Sequence, residues 1–344
     1  MVLNSRILFE ESIKSKKSLE TYTWYIQKFV DYYKLKDFDS ILKIPKNEIQ
    51  DMVLTYVIHT KKRVSPNSVS SFMKPIKLFL EINDVELSWK KIARLYPQKV
   101  KPSGDSAWQT EDIKKMLDST TSLKNKAIIH FLASSGVRVG ALEDVRLRHL
   151  RDMPNNCKMV LIYEDSVEEY HTFLTPEASK ALDDYLDERK QLGEVFQNDS
   201  FLFRTFFTLV FAKPKPMGTK AIQSMIYRVE RNAGIRGQKK NGRYATQSVH
   251  GFRKRFNTIL KSNNSINDSA IEKMMGHKNG ILGVYFQATT EQLFEDFQRG
   301  IMDLTIDQTE KQKLKILTLE QEKDISLKSM QEQIDTLKEL YKKK

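Results

Sequence analysis

Residues His250–Tyr285 read HGFRKRFNTILKSNNSINDSAIEKMMGHKNGILGVY, and three short groups within them carry chemistry: His250-Gly251-Phe252-Arg253, Met275-Gly276-His277, and Tyr285. A spacing of three puts His250 and Arg253 on one face of a helix expected over Gln247–Leu260, while Phe252, Phe256 and Ile259 turn toward a core. Gly276 is placed to end a helix over Asp268–Met275 and to turn His277 back toward the same face. Arginine stays protonated and grips two phosphate oxygens at once, whereas histidine exchanges a proton near neutrality. A tyrosine phenol, with a reference pKa of about 10, needs cationic neighbours and a proton acceptor to act as a nucleophile. Each group alone also fits a plain role, a surface pair for H-x-x-R and a packing residue for Tyr285.

Upstream, Ser134-Ser135-Gly136-Val137-Arg138 sets an arginine just after a glycine turn that closes the apolar helix bearing Ile128, Ile129 and Leu132. A salt bridge to Glu143 or Asp144 is the structural alternative for Arg138. The 344 residues carry 57 Lys+Arg against 44 Asp+Glu, a net charge of +13. From Arg231 to Lys261 there are nine Lys/Arg and no Asp or Glu, which points to a polyanionic partner without separating DNA from RNA, acidic lipid or an acidic protein. The single cysteine, Cys157, cannot pair internally, and this fits a reducing cytoplasm. Neither a secretory signal nor a transmembrane helix is expected. A Walker loop, a Cys/His zinc spacing, a G-x-S-x-G elbow and a compact acidic cluster for two magnesium ions are all absent, so neither a cofactor nor a metal is expected.

The expected fold is mainly α with a small β-sheet. Residues 1–96 show four helical patterns, with Ile26, Phe29, Val53, Val57, Phe72 and Phe79 among the apolar positions. Residues 97–106, with Lys99, Lys101, Pro102 and Gly104, read as a linker. A second domain spans 107–304, with a hairpin from Met159–Tyr163 and Tyr170–Leu174 and helices over Thr219–Asn232 and Thr290–Leu304. Residues 305–344 favour a long helix in which Leu327, Met330, Ile334, Leu337 and Tyr341 form a short heptad stripe. A coiled coil with another subunit, docking on its own domain and fraying in solvent are all open to that helix.

The ordered set (Arg138 after a glycine turn, H-x-x-R, G-H, then Tyr) resembles the tyrosine recombinase family of phage and archaeal integrases. The segment Thr172-Phe173-Leu174-Thr175-Pro176-Glu177 is similar to the one after that family's hairpin, especially in archaeal members. The resemblance implies a two-domain architecture, a helical core-binding domain followed by an α/β catalytic domain. It implies a site-specific DNA recombinase of a virus, plasmid or other mobile element, which cleaves and rejoins DNA through a 3′-phosphotyrosine on Tyr285 without metal or ATP. Arg138 and Arg253 would hold the nonbridging oxygens, His250 would serve as acid/base, and His277 would donate to the phosphate. The partners implied are double-stranded DNA and further copies of the chain, a tetramer on DNA. Lys61, Lys62, Arg63, Lys239, Lys240 and Arg243 are the expected DNA contacts. Three positions depart from the family's pattern. The hairpin segment Tyr163–Tyr170 has no lysine to protonate the leaving 5′-oxygen, which leaves Lys158 as the nearest substitute; Ala141 stands where many members have glutamate; and His277 to Tyr285 is one residue short. The alternatives are a topoisomerase-like nicking and resealing enzyme, or a DNA-binding protein that has lost turnover.

Overall fold

The computed structural model describes residues 4–101, 106–205, 215–239, 244–277 and 285–342, and the chain divides into two compact units, Met1–Lys101 and Pro102–Lys344. The first unit is helical: α1 Ser5–Glu11, α2 Lys16–Tyr32, α3 Asp39–Leu42, α4 Lys46–Lys61, α5 Val69–Ile82 and α6 Trp89–Ala93. The side chains of Asn4 and Ser15 accept from the first free backbone N–H groups of α1 and α2 and so set where these helices begin. Phe9, Ile26, Phe29, Val53, Val57, Ile76, Phe79 and Leu80 are fully buried. Phe9 and Phe79 meet edge to face at 5.7 Å, the arrangement that aromatic quadrupoles favour. Each such side chain contributes about 2–3 kcal/mol of burial.

The second unit holds the sheet. Its order is α7 Thr110–Asp118, α8 Leu123–Ser135, β1 Leu150–Met153, β2 Cys157–Ile162, β3 Tyr170–Leu174, α9 Pro176–Gln191, α10 Thr219–Asn232, α11 Ser248–Lys261, α12 Asp268–Met274, α13 Thr290–Leu304 and α14 Gln308–Lys342. The three strands form an antiparallel meander in which Leu150 faces Val160 and Val160 faces Thr172. β2 and β3 match the expected hairpin. β1 was not expected, because four residues with only their ends half-buried are too short to show the period-two alternation of a strand. Its signal is Asn155-Asn156 in the three-residue connection between Met153 and Cys157, where both residues take positive φ (59° and 57°), a conformation asparagine adopts more readily than most residues.

α8 runs through the core, with Ala127, Ile128, Ile129, Phe131, Leu132 and Ala133 buried. Its end is tied to the sheet: Thr172 Oγ1 donates to Ser135 O at 3.0 Å, and the Thr175 N–H donates to Ser134 Oγ at 2.7 Å. On the other side, α11 packs Phe252 and Phe256 into the core. The start of α11 is set by Trp108, whose Nε1–H donates to Ser248 O at 2.7 Å. A second apolar cluster, with Phe173, Leu260, Ile271, Met274, Phe294 and Phe297, joins β3 to α11, α12 and α13. The Glu177 carboxylate accepts from the N–H groups of Ile306 and Asp307, both at 2.9 Å, and so aims the chain into α14. Along α14, Ile316, Leu319, Leu327, Met330 and Ile334 are exposed; the side chains of Leu337 and Tyr341 lie outside the described residues. Among the described residues no helix is long and apolar enough to cross a membrane.

Candidate active site

Gly136 takes φ +60° and caps α8 by donating to Leu132 O. A Cβ there would lie 2.6 Å from the Phe256 ring, so only glycine fits both the turn and the close approach to α11. Two residues on, Arg138 is exposed and donates weakly, at 3.4 Å from each terminal nitrogen, to Gly276 O. The second glycine turn matches expectation as well. Gly276, at φ +63°, donates to Lys273 O while the His277 N–H reaches back to Glu272 O at 3.0 Å. This pair of bonds is the Schellman ending of a helix. A side chain at Gly276 would strike the Tyr170 ring, so the sheet and the turn that aims His277 are in contact.

Arg253 is 5% exposed. Its guanidinium donates to Gly136 O (2.7 Å), Met275 O (2.6 Å) and His277 Nε2 (2.7 Å), so both glycine turns converge on it. Burial, with Arg138 nearby, draws its pKa below the ordinary arginine value, while Tyr170 and Glu272 act the other way. It remains a cation at any working pH. Among the described residues neither Arg138 nor Arg253 lies within ion-pair distance of a carboxylate. Arg138, His250, Arg253 and His277 line one cavity of about 750 Å³ together with Val137, Val139, Gln223, Tyr227, Gln247, Ser248 and Val249. Among the described residues the lining contains no Asp or Glu. Two guanidiniums that repel each other in an open pocket, with Glu272 reaching Arg253 only through His277, give a local excess of positive charge, which is the electrostatic form of an oxyanion site. Tyr285 is 82% exposed; it follows residues 278–284, which lie outside the described residues, and is not part of this lining.

His277 meets Arg253 in this structure. An arginine N–H can only donate, so Nε2 of His277 is the acceptor and the ring proton sits on Nδ1. Nδ1 meets the Glu272 carboxylate, which also binds Lys261. Burial would raise the Glu272 pKa, but hydrogen bonds from Lys261 and His277 override it and hold the carboxyl below its usual range. Glu272 was not among the expected site residues. Its signal was the Gly276 cap itself, since a Schellman turn stacks residue 277 over residue 272. Gln223, Tyr227 and Gln247 were also missed, because helical periodicity marks them only as exposed.

Lys158 does not line this cavity. It lies on β2 opposite Leu174, paired with Asp152 at 2.8 Å and Asp183 at 3.3 Å, and it lines a different cavity. β2 runs toward the hairpin turn, so a residue at its start stands at the far end of the strand from that turn. Glu143, the possible partner for Arg138, instead accepts from the backbone and hydroxyl of Thr219 at 3.2 and 3.1 Å and caps α10. His149 is buried and paired with Glu164. Of the expected DNA contacts, Lys61, Lys62 and Arg63 are exposed at the end of α4. Lys239 is exposed, with Nζ 5.3 Å from the centre of the Tyr244 ring, and Lys240 and Arg243 lie outside the described residues. Four of the linker residues, 102–105, also lie outside them.

The sequence pattern of the phage integrase family matches residues 107–291, more than half of the chain. The chain belongs to that family, and it is a tyrosine-type site-specific recombinase. Its fold is similar to that of the XerH site-specific recombinase bound to difH substrate, at 16% identity and TM-score 0.56 over 81% of this chain and 80% of that one. It is similar also to the Tn1549 transposon integrase in complex with circular intermediate DNA, at 16% identity and TM-score 0.56 over 86% and 99%. A lambda integrase dimer bound to a COC′ core site matches at 16% identity and TM-score 0.52 over 83% and 96%. No curated protein matches the chain in sequence.

Proposed function

We propose that this recombinase cleaves and rejoins double-stranded DNA through a covalent bond between Tyr285 and a 3′-phosphate. The Tyr285 oxygen attacks phosphorus as its proton passes to His250, the 5′-oxygen leaves and takes a proton from solvent, and a 5′-hydroxyl from another strand reverses the step. One phosphoester is exchanged for another, so the bond energy is kept and no nucleotide is consumed. Arg138 and Arg253 bind the two nonbridging oxygens as charge builds on them, and each donor contributes about 3–4 kcal/mol to the transition state. His250, exposed on the cavity wall, takes and returns the tyrosine proton. The observation that carries this reading is the cavity in which Arg138, His250 and Arg253 meet with no Asp or Glu among the described lining residues.

Strand exchange between two duplexes requires several protomers. Support comes from the exposed apolar residues of α14 and from relatives of the same fold seen as a lambda integrase dimer on a core site and a tetramer on a Holliday junction. Phosphate contacts by Lys61, Lys62, Arg63, Lys239, Lys240 and Arg243 make binding steeply salt-dependent. A second reading, a DNA-binding protein without turnover, is favoured by the hairpin turn. It carries Glu164, Asp165, Glu168 and Glu169 but no lysine, and Lys158 is held by aspartates elsewhere.

One experiment separates the two. The protein is incubated in EDTA with nicked duplexes of random sequence, and DNA that survives SDS and boiling is recovered, alongside Tyr285→Phe. Adducts that vanish in the variant support tyrosine cleavage. No adduct, at salt where both proteins bind DNA, favours the binding-only reading.

A further inference from the structure

The cationic site rests on a chain of contacts that runs away from the cavity: Lys261 to Glu272, Glu272 to Nδ1 of His277, and Nε2 of His277 to Arg253. We propose that Glu272 is a positioning residue that fixes the ring and tautomer of His277 and thereby locks the Arg253 guanidinium in its phosphate-binding pose. The proposal rests on the recombinase reading of the cavity and adds a residue to it.

Arg253 has no lone pair to offer, so the 2.7 Å contact between its terminal nitrogen and His277 Nε2 exists only while Nε2 is unprotonated. In a neutral imidazole the proton then sits on Nδ1 and needs an acceptor. Glu272 is the acceptor in contact with it, with a side chain 16% exposed. Its backbone carbonyl also takes the His277 N–H at 3.0 Å, so one residue holds His277 by both main chain and side chain. Lys261, at the end of α11, binds the same carboxylate and keeps it ionised and turned toward the ring. Remove the carboxylate and the ring is free to carry its proton on Nε2. That N–H would face the guanidinium N–H, and Arg253 would be left to its contacts with Gly136 O and Met275 O. An arginine that must meet a transition state loses most when its direction is loosened. Partners that orient a metal-ligating imidazole are worth about 10–100-fold, and an effect of the same order is expected for one that holds an arginine.

The test uses the full-length chain labelled with ¹⁵N-histidine. Long-range ¹H–¹⁵N correlation spectra report the ring tautomer of each of the six histidines, with His277→Gln assigning the signal. In parallel, the rate of SDS-stable attachment is measured at saturating nicked duplex. The expected results are a ring proton on Nδ1 in the wild type, its loss in Glu272→Ala and its retention in Glu272→Gln, whose amide oxygen still accepts. Attachment should slow about 10–100-fold in Glu272→Ala at unchanged DNA affinity and recover in Glu272→Gln. A wild-type tautomer or a wild-type attachment rate in Glu272→Ala would overturn the proposal. Should the wild-type chain attach no DNA, the recombination chemistry fails on its own, and the tautomers of wild type and Glu272→Ala still decide whether Glu272 holds the ring.

Discussion

Two cavities of nearly equal size open on the second unit, about 750 Å³ around Arg253 and about 790 Å³ around Lys158. In the Lys158 cavity, Lys126, Lys158 and Lys180 face Asp152, Glu177, Asp183, Asp184 and Glu310, and Lys158 is paired twice. The Arg253 cavity has two guanidiniums and no acid among the described residues of its lining. Volume therefore says little about function here, and charge left unbalanced says more. Paired charges on an open surface contribute little to stability, whereas an unbalanced pair of cations costs stability that an arriving oxyanion returns.

This contrast breaks most readily at Arg253. Arg253→Ala is expected to lower the rate of covalent attachment to nicked duplex by about 10²–10³-fold while the Lys and Arg contacts elsewhere keep DNA binding within reach; attachment within a few-fold of wild type would remove the oxyanion role. Gly276→Ala is the next largest effect. It puts a side chain at φ +63° against the Tyr170 ring and should cost about 2–4 kcal/mol in urea unfolding, with attachment lost as His277 is displaced.

A third test concerns the balanced cavity, where burial pushes the His130 pKa down from 6.5 to about 4. The unfolded chain takes up this proton at higher pH than the folded one. The stability it contributes is complete above pH 6.5 and is lost as pH falls toward 4. Glu177, whose carboxyl is raised by burial, titrates with the opposite sign. His130→Gln should therefore flatten a decline on the order of 2 kcal/mol between pH 7 and 4.5, read from urea midpoints; an unchanged slope would show the histidine to be uninvolved. The smallest effect is expected for Lys158→Met, with stability moving by less than about 1 kcal/mol and attachment unchanged. A large loss of attachment there would mean that Lys158 leaves its aspartates to reach the DNA.

Much of the site was legible in advance because it depends on local rules. Gly136 and Gly276 cap their helices where a positive φ is needed, and H-x-x-R placed His250 and Arg253 on one side of α11 for the same reason, helical spacing. What stayed hidden depends on pairing across the chain. β1 is too short to show alternation, Glu143 is claimed by Thr219 across 76 positions, and Lys158 is near the hairpin in sequence yet at the wrong end of its strand. His277 was marked as a site residue, but its role as acceptor was not, because tautomer follows from neighbours and not from spacing.

The sequence by itself determined the helices, both glycine turns, the excess of cations and the order of the reactive side chains, all of which follow from backbone conformation and residue chemistry within a few positions. Only the tertiary structure decided which cations remain unbalanced. That depends on which carboxylates the fold brings within a few ångströms: Glu143 is spent on a helix terminus, Asp152 and Asp183 on Lys158, and Glu272 on His277. Arg138 and Arg253 are left facing the same opening.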